Sequence, residues 1–228
     1  MSLYKDLPVP CPSCGKEADQ AVNFSVNADR RPDLVDEILD GGFQRLTCPH
    51  CDTEFRLEPE LTYLHAEAGQ WILVKPAGEI DQWADMERIA DVLFEANYGA
   101  GASRGARELG ASLSPRVTFG WPALREKVVC KNEGIDDVVL ELLKMALLRT
   151  DKAPPISDAV ELRLYGVYGD ELRLGWIDAG TEEVHQTLDL PRQAYDDIAA
   201  HPERWEALSG ELTEGAYVDM NRLLVASA

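Results

Sequence analysis

The sequence is short of basic residues and of histidine. Its 228 residues include 22 Lys and Arg against 41 Asp and Glu, a formal net charge of −19, and only four histidines. The bias extends to residues 1–80, which carry seven basic and fourteen acidic residues. Nucleic acids are bound through clustered Lys and Arg, so this balance argues against nucleic-acid binding.

Long apolar runs are also missing, and the sequence contains few familiar catalytic motifs. No stretch has the apolar length of a transmembrane helix, and the charged, proline-containing start lacks the apolar core of a signal peptide. We therefore expect a cytoplasmic protein that does not enter a membrane. One Gly-x-Ser-x-Gly occurs, at residues 101–105, but it follows the helical pattern of 81–97 and not the strand that a nucleophile elbow requires. There is no phosphate-binding glycine loop and no His-Glu-x-x-His, and the histidines at 50, 65, 185 and 201 stand apart. The sequence predicts neither catalytic residues nor an organic cofactor site.

Four of the five cysteines lie in two copies of one short signature. Cys11 and Cys14 form the first Cys-Pro-x-Cys pair, and Cys48 and Cys51 form the second. Two such turns from distant segments supply the four sulfurs of a tetrahedral shell, so the spacing predicts one structural Zn²⁺ per chain. Gly15 and Asp52 follow the pairs, and both residue types tolerate the positive φ that a knuckle turn requires.

Other uses of these pairs are an open catalytic zinc site, a redox motif or disulfides. A redox Cys-Pro-x-Cys opens a helix, whereas 21–26 is strand-like and 54–58 alternates polar and apolar residues. A redox motif also gains nothing from a second copy. Disulfides are rare in a reducing cytoplasm. The fifth cysteine, Cys130, reads as a partly buried thiol without chemistry.

Hydrophobic periodicity predicts an α+β fold with a zinc-ribbon-like antiparallel β element and inserted and following helices. Predicted strands cover 43–47, 55–57 and 71–75; predicted helices cover 31–41, 81–97, 122–130 and 138–149, with Asp136 or Asp137 as the last helix's cap. The glycine- and alanine-rich stretch 99–114 reads as a long loop. The helix 138–149 is apolar nearly all round, which predicts that it is buried in the core or against a partner.

The last third predicts a smaller α+β subdomain. Lys152-Ala153-Pro154-Pro155-Ile156 breaks helices and is the expected joint, which gives domains 1–152 and 153–228. A β-meander follows, with a hairpin of 160–168 and 172–177 turning at 169–170 and a third strand over 184–188. Helices are expected from 191 and over 203–212, and a strand or short helix over 217–225.

The arrangement resembles the CpXC family. The likeness rests on the doubled Cys-Pro-x-Cys pairs, the helix between them, the segment 59–63 and the Gly134-Ile135-Asp136-Asp137 start of a late helix, and it covers roughly residues 8 to 150. The resemblance implies that Cys11, Cys14, Cys48 and Cys51 are the signature cysteines of that family. It does not imply a specific activity.

Two functional hypotheses remain. The first is a zinc-stabilised interaction or scaffold protein whose partner is another protein or another copy of this chain. The second is a metal-dependent or thiol enzyme that uses an open position at the cysteine site. The closed ligand set and the lack of convergent polar groups favour the first.

Overall fold

Residues 2–150 and 160–224, which the computed structural model describes, form three β-sheets and eight α-helices. This mixture confirms the predicted α+β class. The strands are β1 Leu3–Pro10, β2 Glu17–Asn27, β3 Arg45–Thr47, β4 Glu54–Arg56, β5 Leu61–His65, β6 Gln70–Lys75, β7 Ser114–Phe119, β8 Val160–Tyr168, β9 Glu171–Asp178 and β10 Val184–Pro191. The helices are α1 Pro32–Leu39, α2 Trp83–Tyr98, α3 Arg104–Gly110, α4 Gly120–Asn132, α5 Asp137–Leu148, α6 Arg192–Ala199, α7 Glu206–Leu212 and α8 Asn221–Leu224.

The largest sheet has the strand order β1-β2-β5-β6-β7. It is a mixed sheet. The pairs β1–β2 and β5–β6 are antiparallel, whereas the pairs β2–β5 and β6–β7 are parallel. Successive side chains of a strand point to opposite faces, and β6 is buried on both. Ile72 and Val74 face a core shared with α1 and α4, and Trp71 and Leu73 face a second core shared with α2.

Two antiparallel hairpins build the ribbon-like element that the sequence predicts. One is β1 with β2, and the other is the short pair β3 with β4. The helix α1 lies between them in the chain, as expected, and carries the backbone from the first hairpin to the second. Each hairpin turn holds one of the Cys-x-x-Cys pairs.

The C-terminal part contains the predicted β-meander. Strands β8, β9 and β10 pair antiparallel, and the first hairpin turns at Gly169 and Asp170 as expected. Helices α5, α6 and α7 contribute to the core beside this sheet, so the apolar helix α5 is buried within this chain. Helix α4 packs against β8 and thereby joins the two parts. The predicted joint 152–156 lies outside the described residues, and the two-domain division stays a prediction. In the described part of the chain, every helix is too short or too polar to cross a bilayer.

Several local predictions are wrong. The stretch 99–114 is not one long loop, because Ser103 accepts a hydrogen bond from the Ala106 amide at 3.3 Å and starts α3. An ion pair at 2.7 Å between Arg104 and Glu108 supports the same turn. The strand expected at 43–47 is confined to β3. Over the described part of 217–225, by contrast, the short helix α8 agrees with one of the two expected alternatives. The sequence patterns do not predict the strands β1, β5 and β7. Strands β1 and β7 contain prolines, which weaken a strand pattern.

Candidate metal centre

The first cysteine pair occupies the turn between β1 and β2. The Cys11 amide donates to the Lys16 carbonyl at 2.9 Å, and the Gly15 amide donates back to the Cys11 carbonyl at 2.9 Å. Gly15 has φ +69°, as its position in the sequence predicts. These bonds close a tight turn that points both sulfurs to one side.

The second pair repeats that turn between β3 and β4. The Cys48 amide donates to the Thr53 carbonyl, and the Asp52 amide donates to the Cys48 carbonyl, both at 2.9 Å. Asp52 has φ +57°, which confirms the expectation for this position as well. Two segments without further sequence likeness therefore share one backbone geometry.

The four sulfurs of these turns converge. Sγ of Cys11 lies 3.7 Å from Sγ of Cys51, Sγ of Cys14 lies 3.7 Å from Sγ of Cys48, and all four atoms lie within 4.8 Å of one another. A tetrahedral ion with metal–sulfur bonds of about 2.3 Å has sulfur–sulfur edges of about 3.8 Å. A disulfide would need about 2.05 Å, and the cysteines are free. The cluster can thus hold one metal ion with four protein ligands.

Two thiols of the cluster have pKa values shifted in opposite directions. Hydrogen bonds to Thr53 lower the pKa of the exposed Cys51 thiol to about 6. At Cys14 the Lys16 amide acts in the same direction, but desolvation and hydrogen bonds to the other three thiols outweigh it and raise the pKa to about 11. Four neighbouring thiolates repel one another, so a divalent cation binds with release of protons. Cys11 and Cys48 are buried beneath the two exposed thiols.

His50 lies within the second pair, where the sequence suggests either a hydrogen bond near the cluster or simple exposure. Its backbone amide donates to Sγ of Cys48 at 3.4 Å, and its exposed ring places Nε2 3.2 Å from the Glu17 carbonyl oxygen. The amide supports a sulfur ligand, and the ring links the two turns.

A second convergence of ligand-type side chains lies in the interior and was not predicted. Glu126 of α4, Glu141 of α5 and Asp219 bring one carboxylate oxygen each within 4.8 Å of the others, and all three are buried. Lys144 Nζ lies 2.7 Å from Glu126 and 2.9 Å from Glu141, and Arg163 of β8 pairs with Glu126 and Asp219. Each of the three carboxylates thus pairs with at least one of these two cations. We call the five residues the interior ion network.

One sequence signal pointed to this network. Glu141 and Lys144 stand three residues apart in a helix that is otherwise apolar, and charged residues in a buried helix need partners. The partners come from three other segments, so no local spacing reveals them. Cys130 lies in the same region; it is fully buried rather than partly buried, and burial raises its pKa well above the usual value, which leaves it unreactive.

The remaining polar residues that the sequence singles out do not assemble. Asp136 caps α5, because its Oδ1 accepts from the amides of Val138 at 2.9 Å and Val139 at 3.1 Å. Asp137 instead pairs with Arg116 at 2.8 Å and Lys127 at 3.0 Å. The other three histidines pair separately: His65 with Asp29, His185 with Asp178 and His201 with the Asp197 carbonyl.

Comparison with known proteins gives one match. A family model described as CpXC protein covers residues 9–144, which is more than half of the chain and includes both cysteine pairs. The matched span ends within α5 and leaves the β-meander outside. No curated protein and no solved structure matches the chain.

Proposed function

The chain belongs to the CpXC family, and we propose that Cys11, Cys14, Cys48 and Cys51 bind one structural Zn²⁺ in it. The observation that carries this proposal is the set of sulfur–sulfur distances, which fits a tetrahedral ion whose four positions are all filled by protein. A closed shell has no position for water or substrate. It therefore holds the fold rather than performing a reaction.

The chemistry of the ligands supports zinc over other ions. Four thiolates in a tetrahedron select Zn²⁺ or iron and disfavour Ca²⁺ and Mg²⁺, which prefer oxygen. Thiolates persist as ligands in a reducing compartment, which fits the proposed cytoplasmic location. Zinc also brings no redox chemistry to the site.

The position of the cluster explains why a metal is needed there. The second hairpin has strands of only three residues each, β3 and β4, and such a pair is marginal in water. An ion shared with the first hairpin would fix its tip without a hydrophobic core. The metal thus substitutes for apolar burial at this edge of the molecule.

We further propose that the protein is an interaction or scaffold module without catalytic activity, and that its partner is a protein or a second copy of the chain. The edge strand β1 supports this proposal, because Leu3, Tyr4 and Leu7 are 50%, 57% and 36% exposed. An edge strand offers unpaired backbone groups to an added strand, and apolar side chains beside them increase the buried area. The net charge of −19 argues against a nucleic-acid partner.

Metal analysis of cysteine variants tests the zinc site. We expect one zinc per wild-type chain and loss of zinc from each single Cys→Ser change at 11, 14, 48 and 51. Cys130→Ser is the matched control, because this cysteine lies outside the cluster, and it should retain the metal. A chain that purifies without zinc, or a variant of the four that keeps full affinity, contradicts the proposal.

Pull-down and sedimentation with surface variants test the interaction role. Leu7→Asp on β1 should weaken capture of a reproducible protein partner or self-association. Val92→Asp is the control, since Val92 is 68% exposed on α2, away from the strand edge. Equal behaviour of both variants and the wild type contradicts a role for β1.

One observation favours the enzyme alternative: the exposure of Cys14 and Cys51, which makes two sulfurs reachable from solvent. If one of them is a functional thiol or a replaceable ligand, its serine variant will keep zinc but lose an activity or its labelling by a thiol reagent in the metal-loaded protein. Joint loss of zinc from both variants supports the closed structural site.

A further inference from the structure

A small cavity lies between the second hairpin and the C-terminal sheet. Its volume is about 190 Å³, and the end of α1, the start of α4 and strand β8 line it. Ile38, Trp121 and Leu164 are almost fully buried at its inner wall, whereas Asp40 and Arg45 are exposed at its mouth. The cavity therefore runs from solvent into the interior.

Four arginines line this cavity, and backbone carbonyls hold the side chains of three of them in place. Nε of Arg45 donates to the Gly41 carbonyl at 2.7 Å, and Nε of Arg56 donates to the Phe43 carbonyl at 2.8 Å. Nε of Arg125 donates to the Leu39 carbonyl at 2.7 Å. Arg125 also donates through Nη1 to the Tyr165 carbonyl at 2.8 Å. Carbonyl bonds orient a guanidinium but leave its charge uncompensated.

Aromatic rings fix two of these arginines further. The guanidinium carbon of Arg56 lies 5.3 Å from the centre of the Trp121 ring, and that of Arg125 lies 4.5 Å from the Tyr165 ring. Stacked guanidinium groups keep their in-plane donors free for an acceptor at the edge. The arginine side chains are thus ordered before any ligand arrives.

Two carboxylates, Asp40 at the mouth and Glu182, line the cavity beside its four arginines. Glu182 pairs with Arg56 and lies 3.5 Å from Arg45. Within residues 2–150 and 160–224, no carboxylate lies within 4 Å of the Arg125 guanidinium. Burial lowers the pKa of Arg56 even with Glu182 beside it. This shortage of carboxylates around the arginines contrasts with the chain as a whole, which has a net charge of −19.

Arg163 reaches the same cavity and shows what a purely structural arginine looks like here. It pairs with Glu126, Glu161 and Asp219, so its charge is fully matched within the interior. Among the described residues Arg125 has no carboxylate partner of this kind, although it lies in the same cavity wall.

Glu182 itself indicates which chemistry the arginines accept. It projects from the loop between β9 and β10 with φ +60°, a conformation that is costly for a non-glycine residue. Its side chain is only 17% exposed and places a carboxylate at the guanidinium of Arg56. A carboxylate group already occupies one part of the site.

We propose that this cavity is a binding site for a small molecule that carries a carboxylate or phosphate group. The oxyanion contacts Arg125 and competes with Glu182 for Arg45 and Arg56. Trp121 and Tyr165 flank the remaining part of the ligand. The volume of about 190 Å³ is below the range of about 300 to 1,000 Å³ typical of drug-sized ligands, so the occupant is small.

Calorimetric titration of the metal-loaded chain tests this proposal. Inorganic phosphate and succinate serve as separate probes at constant ionic strength, and together they distinguish the phosphate from the carboxylate source. Loss of a charge-assisted hydrogen bond weakens binding by about tenfold or more, which is the change expected for Arg125→Gln. Arg104→Gln is the control, because Arg104 is 86% exposed on α3, and it should bind as the wild type does.

Glu182→Gln gives a second and opposite expectation. Removing the competing carboxylate should tighten binding of the preferred probe by about fivefold, with the unfolding temperature recorded for every variant. Absence of binding to both the wild type and Glu182→Gln overturns the proposal. Equal weakening of probe binding by Arg125→Gln and Arg104→Gln also overturns the proposal. If Arg125→Gln does not fold, the Glu182→Gln variant decides the question. Probe binding by Glu182→Gln that is unchanged or weaker than that of the wild type overturns the proposal.

Discussion

The cysteine cluster and the interior ion network both join segments that are remote in the chain, but by opposite means. The cluster lies at the surface, draws on two turns and can hold an ion from outside. The network is buried, draws on α4, α5, β8 and the segment before α8, and contains its own cations. We therefore expect the first connection to be removable without disturbing the core, whereas the second is part of the core.

The strongest way to break this comparison is to remove the metal. Zinc contributes about 10 to 16 kcal/mol in small finger peptides, and the strands β3 and β4 have only three residues each. We expect a chelator to abolish hydrogen-exchange protection at the amides of Cys11, Gly15, Cys48 and Asp52. Mass spectrometry of exchanged peptides measures this loss.

Peptides that contain Glu126 and Glu141 provide the internal control for metal removal. Their amides lie in α4 and α5, which pack on cores away from the cysteines, so their protection should stay unchanged. Global loss of protection would contradict the separation of the two regions. Full retention at the cysteine turns would contradict the structural role of the metal.

Removing a cation from the network is the next largest test. Lys144→Met leaves Glu126 and Glu141 without their shared ammonium, and an uncompensated buried charge costs about 3 to 5 kcal/mol. Urea unfolding of the metal-loaded protein measures the loss. Lys131→Met, at an exposed position at the end of α4, should change the free energy of unfolding by less than about 0.5 kcal/mol.

Zinc content distinguishes the two regions in this variant. Folded Lys144→Met should keep one zinc per chain, because the network shares no residue or ion pair with the four cysteines of the cluster. Adding Glu141→Gln should restore part of the lost stability, since it removes one of the stranded carboxylates. A double variant less stable than Lys144→Met would contradict this account of the charges.

The network also predicts a pH dependence. Burial raises the pKa of Glu141 from 4.5 to about 7; Lys144 and Lys127 oppose the shift, and Asp219 and Glu126 add to it. Between pH 4.5 and about pH 7, Glu141 is therefore protonated in the folded state and ionised in the unfolded state. The resulting stability is present below pH 4.5 and disappears as the pH rises through 7.

Urea unfolding at pH 5 and pH 7.5 measures this contribution. The wild type should lose about 2 to 3 kcal/mol more than Glu141→Gln over this interval. Asp219, whose pKa Arg163 and the two lysines lower to about 2 despite burial, is ionised throughout and does not contribute. Glu133→Gln, at an exposed position, should follow the wild type. Parallel curves for wild type and Glu141→Gln would contradict the raised pKa.

The same contrast explains what the sequence could reveal. The cysteine turns repeat a local spacing, so their residues, their positive φ values and the helix between them follow from the chain alone. The β-meander follows from local patterns too, as does a cap at Asp136 or Asp137, of which the structure shows Asp136. These features depend on neighbours within a few residues.

The network and the arginine cavity depend on pairs far apart in the chain. Glu126 meets Arg163 across 37 residues, and Arg56 meets Glu182 across 126. Nothing near Glu126 or Glu182 indicates its partner, because a lone acidic residue usually lies on the surface. The helix α3 was missed for another reason: glycine and alanine flank a cap at Ser103 that only the hydrogen bond to Ala106 reveals.

The smallest expected effect compares the two cysteine turns with each other. An added Cβ at Gly15 would meet nothing within 4 Å, so Gly15→Ala changes only the cost of φ +69°, which is about 1 kcal/mol. Zinc affinity, measured by competition with a chelator, should fall about fivefold. Asp52→Gly should match or slightly exceed the wild type, because Asp52 already bears that cost at φ +57°. A fall in affinity for Asp52→Gly would show that the aspartate side chain, and not only its backbone, supports the second turn.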